Sequence, residues 1–310
     1  MLEFEKLQVD KENDEVSYND ENHTYWTKGD LQKCISVTTL IHKFSVFDEY
    51  FWSKYKALET LVNPEDFKYI KSDLLKTKVF NMNILKDLSI DEEVFNNQVD
   101  TILEEWRDKR ERACARGTKI HKDYELKTLA GDYSALKEYN LPIFSDGGKF
   151  SVNTSNKIEE GYYVLPEALL SRVSDDGILR LAGQADLIIV DGNEVIILDY
   201  KSNAEIKTKS YYDREKKKSE KMLYPLNHLD DVNYYHYELQ LSTYAWIIEK
   251  NNPNLKVTGL YLLHHDHNDN KTVYKCEYRK DDVERMLSFY KKEIAYEDYK
   301  RRNKQWSWIK

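Results

Sequence analysis

Gly183-Gln184-Ala185-Asp186-Leu187-Ile188-Ile189-Val190-Asp191-Gly192-Asn193-Glu194-Val195-Ile196-Ile197-Leu198-Asp199-Tyr200-Lys201-Ser202 is the stretch that decides the fold. Leu187 to Val190 and Val195 to Leu198 are apolar and largely β-branched, the composition of buried strands. Asp191-Gly192-Asn193 between them is hairpin turn chemistry. Charge interrupts the apolar pattern at the start of the first strand, Asp186, and at the end of the second, Asp199 and Lys201. Strand alternation puts Asp199 and Lys201 on one face and Tyr200 on the other. Asp186 precedes the turn by about as many residues as Asp199 follows it, so a hairpin brings the two carboxylates side by side. Such charges are costly to bury unless they are paired or hold a metal. Taken alone, the hairpin fits either a site of that kind or an edge ion pair of Asp199 with Lys201, with Asp186 at a solvated strand end.

The rest of the composition narrows the class. The chain has 310 residues, 41% of them hydrophobic, enough for one elaborated domain or two. Its 24 tyrosines suit base stacking as well as ordinary packing. No apolar run is long enough to span a membrane and the start does not read as a signal peptide. Cys34, Cys114 and Cys276 are odd in number and widely spaced, which argues against a disulfide framework and for a reducing, cytoplasmic setting. The formal net charge of −8 argues against a surface that grips nucleic acid everywhere, though not against a local basic channel. There is no Gly-rich phosphate loop, no Ser or Cys nucleophile triad and no paired-Cys zinc pattern.

Outward from the hairpin, periodicity predicts a small N-terminal hairpin around Tyr18 and Trp26 and a helix from Ser36 to Phe47 with Ser36 as N-cap. Residues 48–112 read as mostly helical, with a break or helix start at Pro64. A helix from about Ala113 to Leu129 carries His121 and Glu125 on one face. Residues 131–157 are loop-rich. Tyr162 to Val173 reads as strand, interrupted near Pro166 and Glu167. Residues 203–233 interleave cations, among them Lys209, Lys216 and Lys217, with tyrosines; this fits a contact to single-stranded nucleic acid or a solvated loop. Tyr234 to Lys250 is a helix with His236, Gln240 and Tyr244 on one face. Two strands and a long C-terminal helix follow. The His264-His265-Asp266-His267 run reads as an exposed strand end more than a metal site. The domain reading is 1–112 as an N-terminal hairpin and helical region, and 113–310 as the core with an insertion at about 203–233.

Asp186 followed by Asp199-Tyr200-Lys201 resembles the signature of the PD-(D/E)XK nuclease superfamily. Arg116-Gly117-Thr118-Lys119-Ile120-His121 resembles the RGTxxH helix motif of its RecB-like exonuclease branch, Gly183-Gln184-Ala185-Asp186 the GxxD motif, and Gln240-Leu241-Ser242-Thr243-Tyr244 the QxxxY motif. Ser36-Val37-Thr38 looks like an SVT motif found in phage exonucleases and in the mitochondrial single-strand exonuclease family. The resemblance implies a mixed α/β core, a central sheet flanked by helices in αβββαβ order, with N-terminal helices that either arch over the active site or only pack. It implies a metal-dependent deoxyribonuclease, an exonuclease of phage-like recombination, replication or repair; a retired nuclease fold kept as a binding module is the alternative. Its metal would be Mg²⁺ or Mn²⁺, held by His121, Asp186, Asp199 and the Tyr200 carbonyl. Lys201 would position or deprotonate the attacking water, Glu167 would join the catalytic group, Gln240 and Tyr244 would hold the substrate backbone, and Arg116 would clamp a phosphate. Aspartate at position 199, where many members carry glutamate, occurs in the RecB-like branch. Some relatives carry a four-cysteine iron–sulfur cluster, which three cysteines cannot supply. The expected partner is DNA, single-stranded or with free ends, with a recombination or replication protein beside it.

Overall fold

A computed structural model describes residues 14–19, 22–132, 149–150, 157–210, 212–213 and 218–306. Val16–Asn19 (β1) and Thr24–Thr27 (β2) form the expected hairpin, and Lys33–Ser36 (β3) pairs with β2. The Ser36 hydroxyl accepts from the Thr39 amide at 3.0 Å and caps Val37–His42 (α1). This helix stops short of the expected Phe47. The Asp231 carboxylate takes the Ser45 hydroxyl at 3.0 Å and the Val46 amide at 2.7 Å, which draws the chain out of the helical path.

Glu49–Leu61 (α2), Pro64–Thr77 (α3) and Asn83–Asp87 (α4) follow, with Asp48 and Asn63 as side-chain N-caps and Pro64 in the first turn of α3. Glu92–Leu129 (α5) then runs unbroken through 38 residues, where the sequence suggested two helices meeting near Ala113. Gly117 costs a helix interior only about 1 kcal/mol, too little to divide one this long.

Lys149–Phe150 (β4), Gly161–Val173 (β5), Arg180–Gly192 (β6) and Glu194–Lys201 (β7) supply the middle of the sheet. β6 and β7 make the hairpin read from the sequence, Asp191 opposite Glu194, and Gly192 turns the chain at φ +64, a region that a Cβ disfavours. Tyr212–Asp213 (β8) and Lys218–Ser219 (β9) form a separate small ladder. Asn233–Asn251 (α6), Lys256–His265 (β10), Lys271–Cys276 (β11) and Lys280–Trp306 (α7) complete the order.

The main sheet runs β1-β2-β3-β6-β7-β10-β11, with β5 on the other edge of β6 and β4 on β5. It is mixed: β3–β6 and β7–β10 are parallel, β5–β6 and β6–β7 antiparallel. The succession α5-β5-β6-β7-α6-β10 is the expected αβββαβ core.

Contacts divide the chain into two compact units, Met1–Val46 with Lys119–Lys310, and Phe47–Thr118. β1, β2, β3 and α1 therefore belong with the sheet and not with the helices that follow them. In the first unit, Leu239, Leu241, Ala245 and Ile248 of α6 pack on Ile188, Val190, Val195 and Ile197. Tyr124 of α5 packs on Val164, Leu187, Leu198 and Tyr200, which alternation assigns to the opposite face of the hairpin. The second unit has its own core of Phe51, Tyr55, Leu58, Phe67, Leu74, Phe95 and Ile102. The insertion at 203–233 is anchored by the buried side chains of Ile206, Met222, Leu226 and Leu229. No helix among the described residues is long and apolar enough to cross a membrane.

Candidate active site

The sheet divides at Gly183 to Asp186. On the edge of β6 away from β5, Leu181 and Ala182 pair with β3, and Leu187 to Asp191 pair with β7. Among the described residues, the four between them have no partner strand on that edge. Asp186 is the last of these, and carrying the β6–β7 register one residue beyond Leu187–Leu198 sets it beside Asp199. On the other edge, Glu167 falls between the pairs Pro166–Leu187 and Ala168–Ala185, across from Asp186. Three adjacent strands thus present three carboxylates in one row.

Simple alternation fails in this row. Leu165 and Ala168 of β5 pack in the same core as Ala185 and Ile188 of β6, so two residues separate each like-facing pair where regular strands have one. Glu167 takes φ +50, an uncommon region for a residue with a side chain. Backbone of this kind persists only where its surroundings impose it, and it concentrates at functional sites. The Gln184 side-chain amide donates to the Glu167 carboxylate and so fixes that side chain in place.

His121 reaches this row from α5. Its Nδ1 lies 3.5 Å from Asp186 Oδ1, and its Nε2 lies 2.9 Å from the Tyr200 carbonyl oxygen. The other Asp186 oxygen accepts the Tyr200 amide at 2.6 Å. Tyr200 is held from the far side by Tyr124, their rings stacked at 4.4 Å. Burial disfavours an imidazolium here, but the charge of Asp186 and its hydrogen bond together outweigh it and push the His121 pKa up to about 9. Burial alone would raise Asp186, yet His121 and then Lys201 hold its carboxyl below the usual range. Asp199 goes the other way: burial, with repulsion from Asp186, outweighs Lys201 and pushes it up to about 6.

Asp199 and Lys201 form an ion pair whose side chains are only 2% and 14% exposed. Burial works against the Lys201 ammonium, but the charges of Asp199 and Asp186 hold its pKa above the ordinary value. Its Nζ also stands 4.5 Å over the ring of Tyr237, a cation–π contact. The Tyr237 hydroxyl donates to Asn203 Oδ1 at 2.7 Å. One turn along α6, the Gln240 side-chain amide donates to Asp199 Oδ1 at 3.2 Å and to the Tyr244 hydroxyl at 3.1 Å. Tyr244 is buried, and it lies over Gly183: a Cβ at that position would come 2.6 Å from Tyr244 Cε1 and 3.2 Å from Val37 Cγ2. The GxxD-like glycine therefore makes room for the QxxxY-like tyrosine. Gly183→Ala is expected to cost about 1–3 kcal/mol through overpacking. Urea denaturation measures it, and an unchanged midpoint would show that the ring gives way freely.

Charge and donor chemistry fit a hard divalent cation. Three carboxylates face one lysine and one histidine, an excess of negative charge that a divalent cation would offset. Ligand atoms of His121, Glu167 and Asp186 lie within 4.8 Å of one another. The Tyr200 carbonyl adds an oxygen beside His121. Oxygen ligands with one imidazole suit magnesium or manganese. The close triple contains Glu167, while Asp199 is engaged by Lys201 and Gln240.

Without metal, the sign of the pH dependence follows from His121. Its pKa rises from 6.5 to about 9 on folding, so its contribution is complete below about pH 6.5 and lost as pH climbs through about 9. Asp199 opposes folding by ionising, but that cost is complete above about pH 6 and adds no slope beyond it. Its side chain being 30% exposed, His121 is expected to account for a loss on the order of 1–2 kcal/mol between pH 6.5 and 9, measured by urea denaturation in EDTA. A flat profile would contradict the His121–Asp186 pairing.

Other residues singled out in the sequence are placed elsewhere. Glu125 pairs with Lys122 at 2.9 Å. Arg116 stands on α5 five residues before His121. Lys209 is exposed in the insertion, and Lys216 and Lys217 lie outside the described residues. His264 Nε2 meets the Asn203 carbonyl at 2.7 Å and His265 pairs with Asp269 at 3.0 Å. Tyr237 was the residue missed. Its signal was present, since it sits three positions before Gln240 and shares that helix face.

No curated protein matches the chain. A solved crystal structure from Eubacterium rectale, of a protein carrying the provisional name exonuclease, is similar with 12% identity over 84% of this chain and 80% of that one, at a TM-score of 0.33. The sequence profile of the PD-(D/E)XK nuclease superfamily matches residues 73–305, most of the chain and every residue of the carboxylate row. The chain belongs to the PD-(D/E)XK nuclease superfamily.

Proposed function

We propose that this nuclease is a deoxyribonuclease of the RecB-like, phage-type branch, acting as an exonuclease on DNA with free ends in recombination, replication or repair. The observation that carries the reading is the buried group of Asp186, Asp199 and Lys201 at the division of the sheet, joined by His121 and braced by Gln240. His121, Glu167, Asp186 and the Tyr200 carbonyl would hold Mg²⁺ or Mn²⁺, with Asp199 beside them. A bound divalent ion supplies Lewis-acid polarisation of the phosphate and lowers the pKa of a water.

The side chains divide the remaining work. Lys201, held as an ammonium by Asp199 and placed over the Tyr237 ring, orients the attacking water and offsets charge gathering on the phosphate. Asp186 holds His121 by one oxygen and the Tyr200 amide by the other, which sets the spacing of the ligands. Gln240 and Tyr244 are both buried, which supports a role in positioning Asp199 ahead of a direct grip on the substrate backbone. His121 must be neutral to ligate, so metal affinity rises with pH toward about 9.

The test is digestion of end-labelled linear single- and double-stranded DNA, and of circular DNA, with Mg²⁺ or Mn²⁺ and with EDTA. Metal-dependent loss of label with intact circles is expected, and the labelled end reveals polarity. Cutting of circles would make the enzyme an endonuclease. Binding without cleavage of any substrate would leave a DNA-binding module.

A further inference from the structure

We propose that the helical unit, Phe47–Thr118, carries its own binding site for the unpaired bases of a DNA strand, formed by Phe47, Trp52 and Trp106 with Lys56 and Lys109. The choice of DNA rests on the deoxyribonuclease reading above. These five residues line a cavity of about 400 Å³ that lies wholly within this unit. Its lining holds three aromatic rings and two ammonium groups, and no carboxylate.

The pattern follows from helix geometry. Trp52 and Lys56 are four apart on α2, and Trp106 and Lys109 are three apart on α5, so each helix offers a ring and a cation on one face. Phe47 is 62% exposed, yet its ring stands 6.4 Å from that of Trp106. Trp52 is fixed in place: the Lys78 ammonium sits 4.1 Å over its ring, and Phe51 and Tyr55 meet it edge-on, each at 5.3 Å. A ring held this way needs no ordering when a ligand stacks near it. Lys56 pairs with Glu59, whereas Lys109 has no ion-pair partner among the described residues.

Aromatic faces beside cations are the chemistry of single-strand binding. Bases stack, phosphates meet the ammoniums, and every base has a face to offer. A duplex hides those faces. The cationic rim favours a polyanion over an apolar peptide in the same cavity.

The test uses the full-length protein in EDTA, so that nothing is cut. Fluorescence anisotropy compares a labelled oligothymidylate with an abasic strand of equal length and with a duplex. Tighter binding of the base-containing strand is expected. Trp106→Ala should weaken that strand roughly 5- to 150-fold and leave the abasic strand unchanged. Because Trp106 also packs against the unit's core, Phe47→Ala at an exposed ring is the second variant, expected to act in the same direction with unchanged circular dichroism. Lys109→Gln should weaken both strands and reduce the salt dependence by about one phosphate contact. Equal wild-type affinity for base-containing and abasic strands would overturn the proposal. So would self-association in sedimentation that Phe47→Ala abolishes, which would assign the face to a second copy of the chain. Cleavage assays run in parallel keep the two readings apart. Cleavage with base-independent binding removes only the stacking site, and base-dependent binding without cleavage removes only the deoxyribonuclease.

Discussion

Lys201→Ala is expected to slow cleavage by about a thousandfold or more, with little change in KM. Electrostatic stabilisation by one positioned donor is worth about two to three powers of ten, and the same ammonium also fixes the attacking water in place. An interaction made chiefly in the transition state appears in kcat, which single-turnover digestion of a labelled strand at saturating metal would read directly. The variant should nevertheless fold. Losing one partner of a buried pair usually costs about 3–5 kcal/mol because the other is stranded as a charge. Asp199 has an escape, since its pKa is already pushed up to about 6 and rises further without the lysine. It can take up a proton near neutral pH, so the stability loss should stay nearer 1–2 kcal/mol. Cleavage that survives the substitution unchanged would move the catalytic centre elsewhere.

Arg279→Ala is expected to be the most damaging single change to stability, at about 3–5 kcal/mol in urea denaturation. Glu238 of α6 is fully buried. Its carboxylate accepts from Tyr234 at 3.1 Å, from the Glu277 amide at 2.8 Å and from the Arg279 guanidinium. Arg279 also meets Glu277 at 3.2 Å and lies 5.1 Å over the Tyr235 ring. Removing it leaves a carboxylate inside the protein with only neutral donors. Pairing Glu238→Gln with Arg279→Met should restore most of the loss, because neutralising both partners strands neither. Surface pairs such as Lys127–Asp123 should cost under about 1 kcal/mol by comparison. A loss that small at Arg279 would show that Glu238 is not held by charge.

Much of this was readable from the chain. Carboxylates and a lysine in apolar strands are conspicuous because burial penalises them, and the turn between the strands fixes which residues meet. The order of core elements followed from strand and helix periods. What escaped was non-local. Alternation gives no warning that β5 and β6 break step at Glu167 and Asp186, because that break depends on two strands distorting together. Nothing in Gly183 names Tyr244, some sixty residues away, as the reason for a missing side chain. The sequence was read as a helix beginning near Ala113, although α5 runs through that point unbroken. The short first helix ended where Asp231, from far along the chain, takes its next donors. Nothing in the sequence pairs Glu238 with Arg279, some forty residues on, until the fold brings them together.

The parallel pairing of Ile35 with Leu181 has a consequence for synthesis. A ribosome adding about 5–20 residues per second needs roughly 7–30 s to travel from β3 to its partner. Over that interval the first hairpin waits with one edge unmatched, and the contacts closing the sheet are the slow, long-range kind. The site around the carboxylate row is also gathered late, His121 emerging first and Gln240 last. A nascent or truncated chain that stops before α6 lacks the brace on Asp199, so incomplete products of translation are expected to leave the cell's own nucleic acid uncut.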